Sequence, residues 1–290
     1  MLKIRSKENI RKTSKIETKS KEFSRQNMID LFDLYFYEDC PYQDESAELL
    51  RLEGRGKMRI VSRENGISAC AGDLAGYYEK KGLKVLNYFR DGENFKPGDA
   101  IFEAEGDIKL IFRFWRVSQT FLTMMCAIST KTASMVSEAR KINPDIIIAT
   151  SRKTHPGSRI FELKAVRAGG GDIHRNSLSD SIQISQNHLE AAGELGKLRA
   201  MKKIEIEPRS REEAFKYAEM SDIMLLDHLS PEELRELGPE LKELNPELEL
   251  AVGGIEAKRI PEYAPFVDII VISAPYYANP LDFTTKIERL

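Results

Sequence analysis

From Asn143-Pro144 onward the chain alternates short apolar runs with helix-length amphipathic segments, and no other feature restricts the fold as much. Strand-like runs fall at 145–150, 181–184, 203–207, 223–226, 249–252 and 268–272. Strands separated by helices pair in parallel, so the pattern predicts an α/β fold with a parallel sheet and helices packed outside it. Six or seven such units suggest a barrel, complete or incomplete. Two of the helices announce their starts. Ser210-Arg-Glu-Glu213 and Ser230-Pro-Glu-Glu233 read as capping boxes, the second with proline at the first helical position.

The part ahead of this repetition has a different pattern. Residues 57–110 read as an α+β unit: a strand at 57–62, a helix near 73–81, a strand at 84–89, and a hairpin about Lys96-Pro97-Gly98-Asp99 running into 100–105. The segment 112–140 reads as one long buried helix bridging to the repeats. A shorter helix is expected over 28–37, broken by Glu38-Asp39-Cys40-Pro41-Tyr42. Residues 1–26 hold nine Lys or Arg against three Glu, so this stretch carries +6 and the remainder -8. It is expected to be a solvated peripheral arm, with a polyanion-binding tail as the functional alternative.

Length and charge then exclude several classes. A chain of 290 residues suggests about two domains, although one barrel could absorb most of it. A net charge of -2 argues against a general nucleic-acid binder, so any basic site must be local. Cys40, Cys70 and Cys126 are widely separated and in no metal-ligand spacing, which suits buried thiols in a reducing cytoplasm. The four histidines form no zinc motif. No apolar run has the length of a membrane span and no signal-peptide core follows the start, so a cytoplasmic protein without a membrane partner is expected.

The chemistry-bearing residues lie between Ser151 and Asp180 and at the strand ends beyond. Ser-Arg-Lys-Thr-His-Pro-Gly fills 151–157, Lys164 and Arg167 follow, and Gly169-Gly170-Gly171 leads to His174-Arg175. Arg152 and Lys153 fall where a buried strand leaves its sheet, the usual ligand side of such folds. Three consecutive glycines allow backbone N–H groups close to phosphate or carboxylate oxygens, so the segment is expected to bind an anion. In a barrel the C-terminal strand ends share one rim, which collects Arg152, Lys153, Ser185, Glu207, Asp227 with His228, Gly253-Gly254 and Ser273. Cations suit a departing diphosphate. Two carboxylates suit a metal or a developing positive charge, and Gly-Gly opening a helix suits a terminal phosphate. Singly, each has a plainer reading as a loop cation, a strand-end acid, a helix cap or a turn; their joint placement favours a site.

The motifs Arg152-Lys153-Thr154-x-Pro156-Gly157, Ala165-Val166-Arg167-x-Gly-Gly-Gly171-x-x-His174-Arg175, Leu178-Ser179-Asp180, Asn187-His188, Glu205-x-Glu207, Leu226-Asp227 and Gly253-Gly254-Ile255 resemble the type II phosphoribosyltransferases typified by quinolinate phosphoribosyltransferase. The resemblance covers roughly 27–290. It implies an N-terminal α/β sandwich domain over 27–115, an incomplete parallel α/β barrel over 116–275, and a C-terminal segment, 276–290, returning toward the first domain. It further implies a homodimer in which the partner supplies an arginine, matching Arg116, to each active site. By the same resemblance Arg152, His174 and Arg175 would engage the carboxylates of an aromatic acid, and Lys153 the diphosphate end of phosphoribosyl diphosphate. Glu207 and Asp227 would hold the ribose hydroxyls and Mg²⁺, and Gly253 with Gly254 the 5′-phosphate.

Three positions depart from the quinolinate pattern. Ser185 stands where the family carries a lysine, Trp115 where it carries a glutamate, and Ser273-Ala274-Pro275-Tyr276-Tyr277 where it reads Gly-Ala-Leu-Thr-His. These positions look like the ModD branch, pyrophosphorylase-like proteins associated with molybdenum transport. The expected activity is phosphoribosyl transfer to quinolinate or a related nitrogenous aromatic acid. The alternatives are a ModD-like protein with a different acceptor, a non-catalytic nucleotide-binding protein on the same fold, and a barrel enzyme of other phosphate-ester chemistry.

Overall fold

A computed structural model describes residues 31–196, 198 and 200–290. The expected basic arm at 1–26 and the expected start of the first helix at Met28 lie outside the described residues. The chain forms two compact units, one ending at Met125 and including 157–161 and 281–290, the other comprising Cys126–Pro156 and Glu162–Pro280.

In the first unit a helix seen over 31–39 (α1) and the short helix Glu45–Leu49 (α2) precede the sheet strands. Strands β1 (Arg55–Ser62), β2 (Gly66–Ile67), β3 (Lys84–Tyr88), β4 (Asn94–Phe95) and β5 (Ala100–Asp107) follow, with helix α3 (Ala71–Lys80) between β2 and β3. The sheet is antiparallel. Its order is β13-β1-β5-β3, where β13 is Phe283–Arg289 from the C-terminus. Alternation along β1 buries Met58, Ile60 and Ser62 on one face, and α3 turns Leu74, Tyr77 and Tyr78 inward. The Tyr78 hydroxyl lies 2.8 Å from Ser118 Oγ, which satisfies its buried polar tip. Phe32, Phe36, Tyr77, Phe114, Phe121 and Phe161 form a ring-on-ring core with centroids as close as 4.6 Å.

The expected hairpin at Lys96-Pro97-Gly98-Asp99 is instead only a turn. Gly98 takes φ 96° and Asp99 Oδ2 accepts the Lys96 N–H at 2.9 Å, but β4 pairs with β2 while β5 pairs with β1 and β3. Helix α4 (Ile108–Arg140) starts four residues before the expected 112, because Asp107 Oδ1 accepts the N–H groups of Lys109 and Leu110 at 2.9 and 3.1 Å. Arg116 is therefore about two turns inside the helix rather than at its head.

The second unit is a curled, unclosed half-barrel of seven parallel strands. These are β6 (Ile147–Thr150), β7 (Asp172–Ile173), β8 (Ile182–Ile184), β9 (Ile204–Ile206), β10 (Ile223–Leu225), β11 (Glu249–Val252) and β12 (Ile269–Ile272), ordered β7-β6-β12-β11-β10-β9-β8. Helices α5 (Arg159–Ala168), α6 (Gln186–Ala192), α7 (Arg211–Tyr217), α8 (Pro231–Leu244) and α9 (Ile260–Tyr263) fall between them. Both sheet faces are apolar. Ile148, Ile206, Met224, Leu250 and Ile270 join the larger core, while Ala149, Leu225, Ala251, Ile269 and Val271 fill the inner face. Asp222 and Asp268 stand just ahead of β10 and β12 and accept the N–H groups of Ile204 and Leu250 at 2.7 and 2.8 Å, tying neighbouring strand starts together. The Ser230–Glu233 capping box forms in full, but that at Ser210 is only half made: Glu213 turns to the Arg209 N–H at 2.8 Å.

The triple glycine is a correction. Gly169, Gly170 and Gly171 donate their N–H groups to Ala165, Arg167 and Val166, closing the end of α5, so none is left for an anion. A Cβ on Gly169 would stand 2.3 Å from the Ser129 carbonyl oxygen, and one on Gly171 2.6 Å from Thr132 Cγ2. The glycines serve packing: they let the α5–β7 turn approach α4, whose buried Ser129 and Thr132 hydroxyls donate within their own helix to Cys126 and Ile128. Among the described residues no helix is long and apolar enough to cross a membrane, and the three cysteines, all buried, form no disulfide.

Candidate active site

A cavity of about 660 Å³ opens at the C-terminal ends of the parallel strands. Ser151, Arg152 and Lys153 enter it after β6, His174 and Arg175 after β7, Glu207 after β9 and Asp227 after β10. Gly253 and Gly254 enter after β11 and Ser273 after β12, while Gln183, Leu225 and Val271 line it from within the sheet. Short strands that stop at one level place these side chains together, the consequence of parallel register between neighbours.

The flanks differ in charge. Arg152, Lys153 and Arg175 come from the β6 and β7 ends; burial, with Arg152 nearby, holds the Arg175 guanidinium below its usual range while Glu205 opposes this. Glu207 and Asp227 occupy adjacent strand ends, since β9 and β10 pair directly. Burial first, then the charges of Asp227 and Glu205, push the Glu207 carboxyl above its usual range, and His228 offsets part of this. A Cβ on Gly253 would come 2.5 Å from Asp227 Oδ1, so this glycine leaves the carboxylate its space. Gly254 sits at φ 68°, where a Cβ would meet the His228 ring at 2.4 Å. The Gly-Gly pair does not open a regular helix as expected: a single 3-10 turn, Ala257–Arg259, separates it from the four-residue α9.

Polar contacts hold the cationic loop. The Tyr276 hydroxyl donates to the Ser151 carbonyl at 3.0 Å and lies 2.8 Å from Thr150 Oγ1, and the Tyr277 hydroxyl donates to the Lys153 carbonyl at 3.3 Å. Two residues on, the His155 N–H donates to fully buried Glu162 at 3.1 Å, and its Nδ1 lies 2.7 Å from the other carboxylate oxygen. Beneath the cavity the Nε2 atom of His174 is joined to Oε2 of Glu205, and both side chains are buried.

The cavity thus gathers Arg152, Lys153, His174, Arg175, Glu207, Asp227, Gly253, Gly254 and Ser273. Arg116 and Ser185 are not among its lining. Arg116 is exposed, its guanidinium stacked over Trp115 at 4.0 Å. Ser185 lies between β8 and α6 at the N-cap of the helix, where its N–H donates to His188 Nδ1 at 3.1 Å and its hydroxyl lies 2.7 Å from the same nitrogen. Sequence reasoning missed Gln183; its only signal is alternation along a three-residue strand. No cluster of three or more ligating side chains occurs among the described residues; Glu207 and Asp227, on adjacent strand ends, are the pair of carboxylates in the cavity that could hold a divalent cation. Two neighbouring carboxylates fit the chemistry of Mg²⁺, which takes one or two carboxylates and fills its shell with substrate oxygens and water.

Residues 44–126 match the pattern of the quinolinate phosphoribosyl transferase N-terminal domain, and 128–286 that of its C-terminal domain. A protein of Archaeoglobus fulgidus named for nicotinate-nucleotide pyrophosphorylase (carboxylating) is 37% identical over 240 residues, covering 79% of this chain and 93% of its own. A Pasteurella multocida protein named for the pyrophosphorylase ModD is 29% identical over 271 residues, covering 89% and 96%. Among solved structures, NadC from Streptococcus pyogenes superposes with a TM-score of 0.80 at 27% identity, covering 90% of this chain and 97% of that one. With both domains matched in order and the strand-end cavity in place, the chain belongs to the quinolinate phosphoribosyltransferase family, a family of pentosyltransferases.

Proposed function

We propose that this protein transfers the phosphoribosyl group of phosphoribosyl diphosphate to the ring nitrogen of an aromatic acid, releasing diphosphate. The observation that carries this reading is the division of one cavity into a cationic flank, Arg152, Lys153 and Arg175, and an acidic flank, Glu207 and Asp227. Breaking the bond between the anomeric carbon and the diphosphate oxygen builds positive charge on the sugar, which paired carboxylates stabilise, and negative charge on the leaving group, which cations receive. In this reading Lys153 meets the diphosphate, Glu207 and Asp227 hold the ribose hydroxyls, and Gly253 and Gly254 give the 5′-phosphate a close backbone approach. Arg152, His174 and Arg175 orient the acceptor's carboxylate, and Ser273 completes the wall. Mg²⁺ bound between Glu207, Asp227 and the substrate would neutralise part of the leaving charge.

Arg116 reaches the site of a second copy in this proposal, making a homodimer with shared active sites. Three buried cysteines in no disulfide support a reducing, cytoplasmic setting. A ModD-like acceptor choice is the second reading, and it is favoured by Ser185 being engaged with His188 and by Tyr276 and Tyr277 bracing the cationic loop. The test is diphosphate release from phosphoribosyl diphosphate with Mg²⁺ and a panel of pyridine carboxylic acids. Release that depends on the acid and is lost in Asp227→Asn is the expected result; no release with any acid, despite binding of phosphoribosyl diphosphate, would favour a non-catalytic nucleotide-binding protein.

A further inference from the structure

We propose that Gln183 reads the acceptor, and that the acceptor is a pyridine-type acid with one carboxylate and, beside it, an uncharged hydrogen-bonding group of the carboxamide kind. This rests on the phosphoribosyl-transfer reading and deepens it. The argument starts from alternation along β8. Ile182 and Ile184 pack against the larger apolar core, so Gln183 between them faces the inner side, where it lines the cavity. Ser185 would continue that inward face, but the strand stops at Ile184 and Ser185 caps α6 against His188. The neutral amide of Gln183 is what β8 presents to a ligand.

Its neighbour sharpens the choice. Gln183 pairs in register with Glu205 on β9, so the two side chains stand side by side on the inner face. Oε2 of Glu205 is taken by His174, while Oε1 is buried and has no hydrogen-bond partner among the described residues. The Gln183 amide likewise has no such partner among them. The Gln183 amide brings no cation of its own to this point of the wall, and the Glu205 carboxylate beside it, which already engages His174 and lies within electrostatic reach of Arg175, disfavours a second carboxylate there. The Gln183 amide by itself accepts an N–H at its oxygen and gives an N–H from its nitrogen to a carbonyl, the pair of groups that a primary carboxamide offers on one edge. The first carboxylate is left to Arg152 and Arg175, which line the same cavity.

The reaction follows. The acceptor's ring nitrogen gives its lone pair to the anomeric carbon, the bond from that carbon to the diphosphate oxygen breaks, and diphosphate departs with the bonding electrons. With a carboxamide in place of the carboxylate next to nitrogen, no carbon dioxide leaves afterwards.

The probes are quinolinate and its two monoamides, 2-carbamoylpyridine-3-carboxylate and 3-carbamoylpyridine-2-carboxylate, which alter one charge at nearly constant shape. The full-length protein is first titrated calorimetrically with phosphoribosyl diphosphate and Mg²⁺, then assayed with each probe for binding and for release of diphosphate and carbon dioxide. The expected result is a preference of about tenfold or more for one monoamide over quinolinate. Gln183→Leu should bring that preference close to unity, and Gln183→Lys should turn it toward quinolinate. Failure to bind phosphoribosyl diphosphate would overturn the transferase reading and this proposal with it. Intact binding of that substrate, with quinolinate equal to or better than both monoamides in the wild type, would overturn this proposal alone. An unchanged preference in a folded Gln183→Leu variant would do the same, and the wild-type comparison decides the matter if neither variant folds.

Discussion

Glu207 and Asp227 stand on adjacent strand ends, and the cost of that proximity can be measured without substrate. Burial and its acidic neighbours hold the Glu207 carboxyl above its ordinary value of 4.5 in the folded chain. A carboxyl with a raised folded value stabilises the fold while protonated, in full below the ordinary value, and loses that contribution as pH rises through the folded value. Glu207→Gln, permanently neutral, should therefore melt higher than the wild type at pH 7 to 8, and the gap should close as pH falls toward 4. A gap independent of pH in thermal melts would show that the repulsion is not there. Gly253 is the complementary case. Its Cβ would press on Asp227 Oδ1, so Gly253→Ala should leave the melting temperature near the wild-type value while lowering kcat/KM about tenfold or more, read in the diphosphate-release assay. At this scale the charged residues were legible as strand-end side chains, because parallel strands that stop together bring them to one cavity. Gln183 was not, because a neutral side chain in a three-residue strand carries no chemical signature until its neighbours are known. Ser185 shows the converse: its position in the motif gave no hint that His188 would engage it.

Among the elements, legibility followed length and apolar content. The strands at 147–150, 249–252 and 269–272 were readable from apolar runs of three or four residues. Asp172-Ile173 was not, because two residues after three glycines look like loop, and only pairing with β6 makes them strand β7. The same glycines misled the functional reading, since chain flexibility near cations suits an anion cradle as well as a tight helix end. Packing decides between them. Gly169→Ala would drive a methyl group against the Ser129 carbonyl, the Thr132 Cβ and the Ala133 nitrogen, backbone among them, so the cost should be about 1–3 kcal/mol or more. Urea melts of the purified variant should show this as a lower midpoint at unchanged slope. A neutral result would mean that α5 approaches α4 less closely than these distances state.

For the whole molecule, the shared-site proposal makes a quantitative demand. Arg116→Ala and Asp227→Ala should each be inactive alone, and equal mixing with subunit exchange should restore about a quarter of wild-type activity per chain in a two-fold dimer. No recovery after verified exchange would mean that Arg116 serves its own subunit or none. The order of the sheets bears on how such a chain comes into being. β13, at residues 283–289, pairs with β1 at 55–62, and β12, at 269–272, pairs with β6 at 147–150, so both sheets wait for the last part of the chain. At about 5–20 residues per second, roughly 10 to 45 s separate synthesis of β1 from that of β13. During that interval one edge of β1 has no partner strand and the parallel sheet lacks the strand that joins its two halves. Completion of both sheets follows synthesis of residues 269–289, and until then the open edges of β1 and β6 are the places where pairing with another chain would compete with folding.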